Sequence, residues 1–433
     1  MRVSFKRFLI TFYMVVCASL SLINYRYARH YDFMDATADY ELMVENSTLS
    51  AQRGAGARFG FLNAGLFTRF LLSDFPSTPS YTVIARRQNN SEVPIYPEDS
   101  SETDRILEQL QFVPKQLKRT GPVVIRVSHS LGGWGLRPGN EEFHRANCAV
   151  KNCMLTDRDQ FGTADAYIFK QAITEMRRTN PGQIWIFYNL ESPEYSSSYA
   201  SYKNLINWTA SYRWDSDLVA PYEKFVPKHL IPKDQRPLKW PVQTNKNYAE
   251  GKTKQVVWFV SHCVTNNRRE RYVAELAKHI NVDTYGVCGS RQCPRGSRKC
   301  DQLMNKDYKF YLAFENSNCR DYVTEKFFVN GLQHDVIPVV MGAQRQHYAR
   351  IAPPHSFLHV DDFKSPMHLA AYLHYLDKNQ TAYNEYFSWK GSGLFIHTKF
   401  WCRLCAMLNS PRAKSYPDLE AWWRKSKCWR GRW

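Results

Sequence analysis

Residues 311–328 read YLAFENSNCRDYVTEKFF, and the order of apolar and polar residues in this stretch predicts a strand, a turn and a helix. The run 310–314 is apolar throughout, as expected for a strand buried on both faces of a parallel sheet. The strand ends at Glu315 and Asn316. After a polar turn, Tyr322, Glu325 and Lys326 follow at the i, i+3 and i+4 spacing that places side chains on one face of a helix.

The same alternation of strands and helices extends in both directions along the chain. It predicts strands at 122–129, 184–191, 254–262, 282–286, 308–315 and 335–342, helices at 267–280, 322–332 and 366–377, and a further strand and helix within 163–179. A proline-rich, basic linker at 221–241 separates two halves. The predicted fold class is α/β, with two Rossmann-like domains whose parallel sheets face a cleft. The same pattern also fits a two-domain binding protein.

An uncharged run at 8–25 follows a basic start and is long enough to cross a bilayer. The cations before the run favour a cytosolic N-terminus, so the remaining chain is expected in the lumen. The alternative is a cleaved secretory signal, with 16–18 as the cleavage site. The predicted organisation is a cytosolic tail (1–7), a transmembrane signal anchor (8–25), a stem and entry segment (26–118), a first domain with linker (119–245), a second domain (246–400) and a C-terminal segment returning to the first domain (401–433).

Cysteines and glycosylation sequons agree with a lumenal address. Ten cysteines follow Cys17, an even number that favours disulfides in an oxidising compartment. The alternative, a zinc site built from the pairs near 150 and 403, lacks a histidine at ligand spacing. Sequons occur at Asn46, Asn89, Asn207 and Asn379.

The formal net charge is +18, which raises the question of nucleic-acid binding. A lumenal protein does not encounter a genome, so no nucleic-acid partner is expected. A substrate that carries phosphate groups accounts for the excess of cations better. This interpretation directs attention to the cations near the predicted strand ends.

Two predicted strand ends in the second half carry cations that suit a nucleotide diphosphate. Lys326 would hold phosphate, Glu325 the ribose hydroxyls, and Tyr322 would pack in the same pocket. The turn at 260–272 adds Arg268, Arg269 and Arg271. The alternative reading of these residues is an ordinary charged surface helix.

Glu191 ends a strand in the opposite half and is the candidate general base, because a carboxylate there can take a proton from an acceptor hydroxyl. A salt bridge or helix cap is the alternative role.

The acidic triplets at 157–159 and 215–217 resemble metal-binding pairs but lie away from the proposed donor site. We expect them to position other groups, and we assign no residue as a metal ligand.

The sequence 310–342, together with 256–262, 189–199, 207–222 and 400–408, resembles the α1,3-fucosyltransferases of glycosyltransferase family 10. The segments 288–300 and 389–408 are most similar to the core α1,3-fucosyltransferases of plants and invertebrates. The resemblance implies a GT-B fold, a single-pass type II Golgi membrane enzyme and GDP-fucose as the donor. It also implies pairing of Cys148 and Cys153 with Cys402 and Cys405.

The resemblance assigns roles to individual residues. It makes Glu191 the general base and gives donor-binding roles to Ser261, Arg269, Glu315, Asn316, Ser317, Tyr322, Glu325 and Lys326. One departure stands at His262, where the family usually has Asn. The implied function is inverting transfer of fucose from GDP-fucose to the core Asn-linked GlcNAc of glycoprotein N-glycans.

Two other functions remain open at this stage. One is a Lewis-type enzyme that acts on outer-arm GlcNAc, and the other is a non-catalytic lumenal protein that binds glycans or nucleotide sugars. No obligatory cofactor is expected, while stimulation by Mn²⁺ or Mg²⁺ and the oligomeric state are left open.

Overall fold

The computed structural model describes residues 93–431, apart from 100–103, 117–120, 159–162, 176, 179, 242–245, 295–296 and 426. The predicted cytosolic tail and membrane anchor, most of the stem, and the sequons at Asn46 and Asn89 lie outside these residues. Among the described residues, no helix combines the length and apolarity needed to cross a membrane.

The first sheet has six parallel strands in the order β2-β1-β3-β4-β5-β6. Its elements are α1 (Arg105–Gln111), β1 (Val123–Val127), α2 (Glu141–Arg145), β2 (Cys153–Thr156), β3 (Ala166–Lys170), β4 (Ile184–Asn189), β5 (Trp208–Ser211) and β6 (Leu218–Val219). β4 lies between β3 and β5, and five of its six residues are buried. The carboxyl end of β4 therefore carries Glu191 to the edge of the sheet.

The second sheet has five parallel strands in the order β12-β11-β10-β8-β9. Its elements are β8 (Lys254–Phe259), α3 (Arg269–Leu276), β9 (Val282–Tyr285), α4 (Arg298–Asp307), β10 (Tyr308–Phe314), α5 (Glu325–Phe327), β11 (Ile337–Met341), α6 (Arg345–Ile351), β12 (Leu358–His359), α7 (Pro366–Lys378) and α8 (Gln380–Glu385). All seven residues of β10, the central strand, are buried. Its apolar composition thus specified the strand from which Glu315 emerges.

The chain finally returns to the first half. A small antiparallel sheet pairs β7 (Phe225–Pro227) with β13 (Gly393–Phe395), and α9 (Phe400–Leu408) and α10 (Leu419–Arg424) follow. Leu404, Cys405 and Met407 of α9 are buried in the core of the first sheet. Disulfides join Cys148 to Cys402 and Cys153 to Cys405, the pairing that the resemblance implied.

The predicted parallel α/β architecture is confirmed, but one predicted helix is wrong and another begins later than predicted. No helix forms among the described residues of 163–179, because Gln171 takes a left-handed conformation (φ 64°) and its N–H donates to the Tyr188 carbonyl of β4. The helix predicted at 322–332 starts at Glu325 as the single α-helical turn α5 and continues as the π-helix Phe328–Leu332. Tyr322 therefore precedes the helix instead of sharing its face.

The two sequons within the described residues differ in their surroundings. Asn207 accepts a hydrogen bond from the Trp185 N–H (2.9 Å) and its Nδ2 donates to the Lys414 carbonyl (2.8 Å). Asn379 caps α8 at a partly exposed junction, and its Nδ2 donates only to the Tyr375 hydroxyl among the described residues (3.1 Å). Attachment of a glycan would disturb less structure at Asn379 than at Asn207.

Candidate active site

The turn that follows β4 presents Glu191 at the edge of the first sheet. The Asn189 side chain is fully buried and accepts a hydrogen bond from the Glu191 N–H (2.8 Å). Hydroxyls of Tyr222 and Tyr212 donate to the carbonyls of Leu190 (3.0 Å) and Glu191 (3.3 Å). These contacts fix the backbone, so the position of the Glu191 carboxylate is set by the surrounding fold.

Two side-chain hydrogen bonds join this turn to the second half. The Tyr322 hydroxyl donates to Glu191 Oε1 at 2.9 Å, and the hydroxyls of Ser192 and Ser317 lie 2.9 Å apart. Burial, and then the negative charge of Glu191, raise the pKa of Tyr322 well above its usual value. Tyr322 therefore remains a proton donor to the carboxylate.

Lys326 lies among two carboxylates and a hydroxyl. Its Nζ is 3.1 Å from Glu315 Oε2, 3.2 Å from Glu325 Oε1 and 3.0 Å from Thr324 Oγ1. Burial alone would lower the pKa of Lys326, but the two carboxylates raise it above its ordinary value. Lys326 is thus held as a cation, and 23% of its side chain stays exposed.

Glu315 itself is fully buried at the end of β10. Its Oε1 accepts hydrogen bonds from the N–H and the hydroxyl of Thr324, both at 2.8 Å. Gly342 makes room for this carboxylate, because a Cβ at that position would lie 2.8 Å from Glu315 Cγ. The strand end is therefore built around a carboxylate that fixes Lys326.

Arg269 lies at the start of α3 and is 4% exposed. Its guanidinium donates to the carbonyls of Phe314 (2.5 Å) and His262 (3.0 Å), so one cation links the ends of β10 and β8. Asn267 donates from Nδ2 to the Glu315 carbonyl and to Asn318, each at 3.0 Å. Arg269, from one predicted cationic turn, and Lys326, from the other, therefore belong to a single cluster.

Several buried polar atoms in this region have no hydrogen-bond partner among the described residues. They include Arg269 Nε, Asn316 Oδ1 and Glu194 Oε2. A buried polar atom without a partner is costly, so such atoms are expected where a ligand supplies the missing hydrogen bonds. Ser261, also predicted to contact the donor, is exposed just beyond β8.

Models of one enzyme family match both halves of the chain. Residues 249–422 match the model of "Glycosyltransferase family 10 (fucosyltransferase) C-term", and residues 128–223 match "Fucosyltransferase, N-terminal". "Glycoprotein 3-alpha-L-fucosyltransferase A" of Drosophila melanogaster is 42% identical over 82% of this chain and 72% of its own length. The chain belongs to glycosyltransferase family 10.

Other members of the fucosyltransferase family are also similar. "Alpha-(1,3)-fucosyltransferase fut-1" of Caenorhabditis elegans is 35% identical over 66% of this chain and 68% of its own. Human "Alpha-(1,3)-fucosyltransferase 4" is 38% identical over 57% of this chain and 46% of its own. The crystal structure of an α1,3-fucosyltransferase with GDP-fucose covers 72% of this chain and 97% of its own, at 18% identity and a TM-score of 0.45.

The acidic triplets of this fucosyltransferase are used in protein contacts where they are described. Asp217 is fully buried and accepts from the Thr209 N–H (2.8 Å) and the Tyr416 hydroxyl (2.9 Å). Asp215 pairs with Arg213 at 2.5 Å. Among the described residues no cluster of three or more potential metal ligands is found.

Sequence reasoning missed the part that the C-terminal segment plays in the site. Cys428 is disulfide-bonded to Cys319, and the Arg320 N–H donates to the Lys427 carbonyl (2.7 Å). Glu420, in α10, accepts from the Tyr199 N–H (2.5 Å). The segment thus fastens the turns after β4 and β10. The even number of cysteines signalled pairing but not these partners.

We expect Cys428→Ser to weaken GDP binding and to lower the melting temperature, because the loop that follows Ser317 loses its anchor. Loss of a disulfide typically costs about 2–5 kcal/mol. The matched control is the double variant Cys293→Ser/Cys300→Ser, since that bridge closes a loop of sequence separation 7 instead of 109. Calorimetry and GDP titration of both proteins check the prediction. Equal effects in the two would contradict it.

Proposed function

We propose that this protein is an inverting α1,3-fucosyltransferase that transfers L-fucose from GDP-β-L-fucose to the core Asn-linked GlcNAc of glycoprotein N-glycans. The observation that carries the proposal is the 2.9 Å hydrogen bond from Tyr322 to Glu191, which brings the candidate base of one sheet against the cationic cluster of the other. The two sheets would then act as the two domains of a GT-B enzyme, with the substrates between them.

In this mechanism Glu191 accepts the proton of the GlcNAc 3-hydroxyl while that oxygen attacks the anomeric carbon of fucose. The bond from the anomeric carbon to the diphosphate oxygen breaks, and GDP departs with the electron pair. Attack and departure on opposite faces convert the β-linked donor into an α-linked product. Tyr322 orients the carboxylate through the hydrogen bond to Oε1.

The second half supplies stabilisation of the leaving group. Lys326 and Arg269 would place positive charge beside the diphosphate, where negative charge develops during transfer. Glu325 would hold the ribose hydroxyls, while Ser261, Glu315, Asn316 and Ser317 would complete the donor pocket. Because these cations can neutralise the diphosphate, no metal is assigned an obligatory role, and stimulation by Mn²⁺ or Mg²⁺ is a separate measurement.

The core acceptor is favoured over the outer-arm acceptor by the pattern of similarity. The fly relative, whose name specifies transfer to a glycoprotein, matches 82% of this chain, whereas human fucosyltransferase 4 matches 57%.

We place the enzyme in the Golgi membrane as a single-pass type II protein, on the basis of the run at 8–25 and the ten later cysteines. All ten lie in disulfides.

The test is mass spectrometry of a defined N-glycan panel after incubation with the protein and GDP-fucose. The panel contains glycopeptides with an unmodified core and glycans with outer-arm N-acetyllactosamine. We expect a single fucose on the innermost GlcNAc, located by fragmentation. Fucose on outer-arm GlcNAc would establish the Lewis-type activity instead. Retention of intact GDP-fucose with no product on any glycan would establish a binding protein.

A further inference from the structure

A contact between two rings joins the turn that bears Glu191 to the turn that leads to Arg269. Tyr195 ends the short 3₁₀ turn Pro193–Tyr195, four residues after the candidate base. His262 follows β8 in the other half. Their ring centroids lie 5.0 Å apart with an interplanar angle of 66°, an edge-to-face arrangement that aromatic rings prefer.

The main chain on the His262 side of this contact is tied to the cationic cluster. The His262 carbonyl accepts a hydrogen bond from the Arg269 guanidinium at 3.0 Å. Burial raises the pKa of Tyr195 above its usual value, and the neighbouring main chain of Asn266 partly offsets this effect. The ring contact therefore connects Tyr195, in the turn that bears the candidate base, with the backbone to which Arg269 donates.

The contact lies at the surface, in contrast to the other links across the site. Tyr195 is 37% exposed and His262 is also exposed, whereas Tyr322, Ser192 and Ser317 are buried. Substitutions at exposed positions usually change stability little. We therefore expect variants at Tyr195 and His262 to remain folded, so that their effect on transfer can be measured.

We propose that Tyr195 and His262 are a positioning pair that aligns the base turn with the turn preceding Arg269. In this role the His262 imidazole serves as a ring that packs against Tyr195 and is not a ligand of the donor. The proposal rests on the proposed function, because it concerns the geometry of fucose transfer. Small displacements of reacting groups reduce the rate steeply, so loss of the pair should lower the rate of transfer more than the affinity for GDP.

The experiment is a double-mutant cycle measured by fucose transfer to the core glycopeptide and by GDP titration. We expect Tyr195→Ala and His262→Ala each to lower kcat by about 10-fold and to leave the GDP dissociation constant within about twofold. The kcat of the double variant should be no lower than that of the less active single variant, because both changes remove the same contact. His262→Phe, which keeps a ring, should restore most of the activity that His262→Ala loses. Tyr375→Ala is the matched control, since Tyr375 is 40% exposed on α7.

Three results would overturn the pair alone. Independent losses that multiply in the double variant, to about 100-fold, would show that the residues act separately. Weaker GDP binding by His262→Ala that His262→Phe fails to restore would make His262 a donor ligand. Unchanged transfer in both single variants would leave the contact without a role. Wild-type protein that transfers no fucose would refute the proposed function itself, and the pair with it, whereas the first three results leave wild-type transfer intact.

Discussion

Glu191→Gln is expected to reduce fucose transfer by about 10² or more while leaving GDP affinity unchanged. Gln keeps the length of the side chain, and its carbonyl oxygen can still accept from the Tyr322 hydroxyl and the Ser192 N–H, which now bond to Oε1 at 2.9 and 2.7 Å. The Gln side chain cannot, however, take up the proton of the GlcNAc hydroxyl. The variant therefore removes the base and retains the contacts that hold this turn to the second half.

The measurement combines transfer rate, GDP affinity and melting temperature on one preparation. Glu142→Gln is a suitable control, because Glu142 is also a carboxylate of the first half, and it pairs with Arg145 at 2.7 Å on α2, outside the site. We expect that control to retain both its stability and its turnover, since an exposed ion pair contributes little. A folded Glu191→Gln protein with near-normal turnover would remove Glu191 from the mechanism.

The main features of the fold and site follow from local sequence patterns. Buried parallel strands carry uninterrupted apolar runs, so 310–314 and 184–188 stand out without any knowledge of the partner strands. The carboxyl ends of parallel strands share one edge of a sheet, and polar residues at those ends therefore mark a ligand site. On this basis Glu191 and Glu315 could be placed at opposite sides of a cleft.

The contacts between the halves could not be read from the same patterns. Tyr322 fits helical spacing with Glu325, but Asp321 adopts a left-handed backbone (φ 59°) and accepts from the Trp214 N–H of the first half at 3.0 Å. This turn directs Tyr322 toward Glu191. The partner atoms lie more than 100 positions away in the sequence, where helical periodicity carries no information.

The pairing of Lys326 was missed for a related reason. Sequence spacing indicated a cation free to meet phosphate, and the family resemblance implied a separate donor-binding role for Glu315. In the structure Lys326 Nζ is 3.1 Å from Glu315 Oε2, and Glu325 Oε1 is 3.2 Å from the same ammonium group. The carboxylates hold the cation in place before any anion arrives. The interaction of Lys326 with a diphosphate must therefore compete with these two partners.

Lys326→Ala is expected to weaken GDP binding by about 10- to 100-fold, since a charge-assisted phosphate contact contributes roughly 1.5–3 kcal/mol. The same change leaves Glu315 buried without its cation, and breaking a buried pair in this way costs about 3 kcal/mol or more of stability. Weak binding alone would therefore not separate a missing phosphate contact from a collapsed pocket.

The double variant Glu315→Gln/Lys326→Met separates the two causes. It removes both charges, while the Gln carbonyl can still accept from Thr324, so most of the stability lost in Lys326→Ala should return. GDP affinity should stay low, because the cation is still absent. Thermal unfolding and GDP titration of the wild type and both variants test this. Recovery of GDP affinity in the double variant would show that Lys326 acts only by balancing Glu315, and unchanged affinity in Lys326→Ala would exclude a phosphate contact altogether.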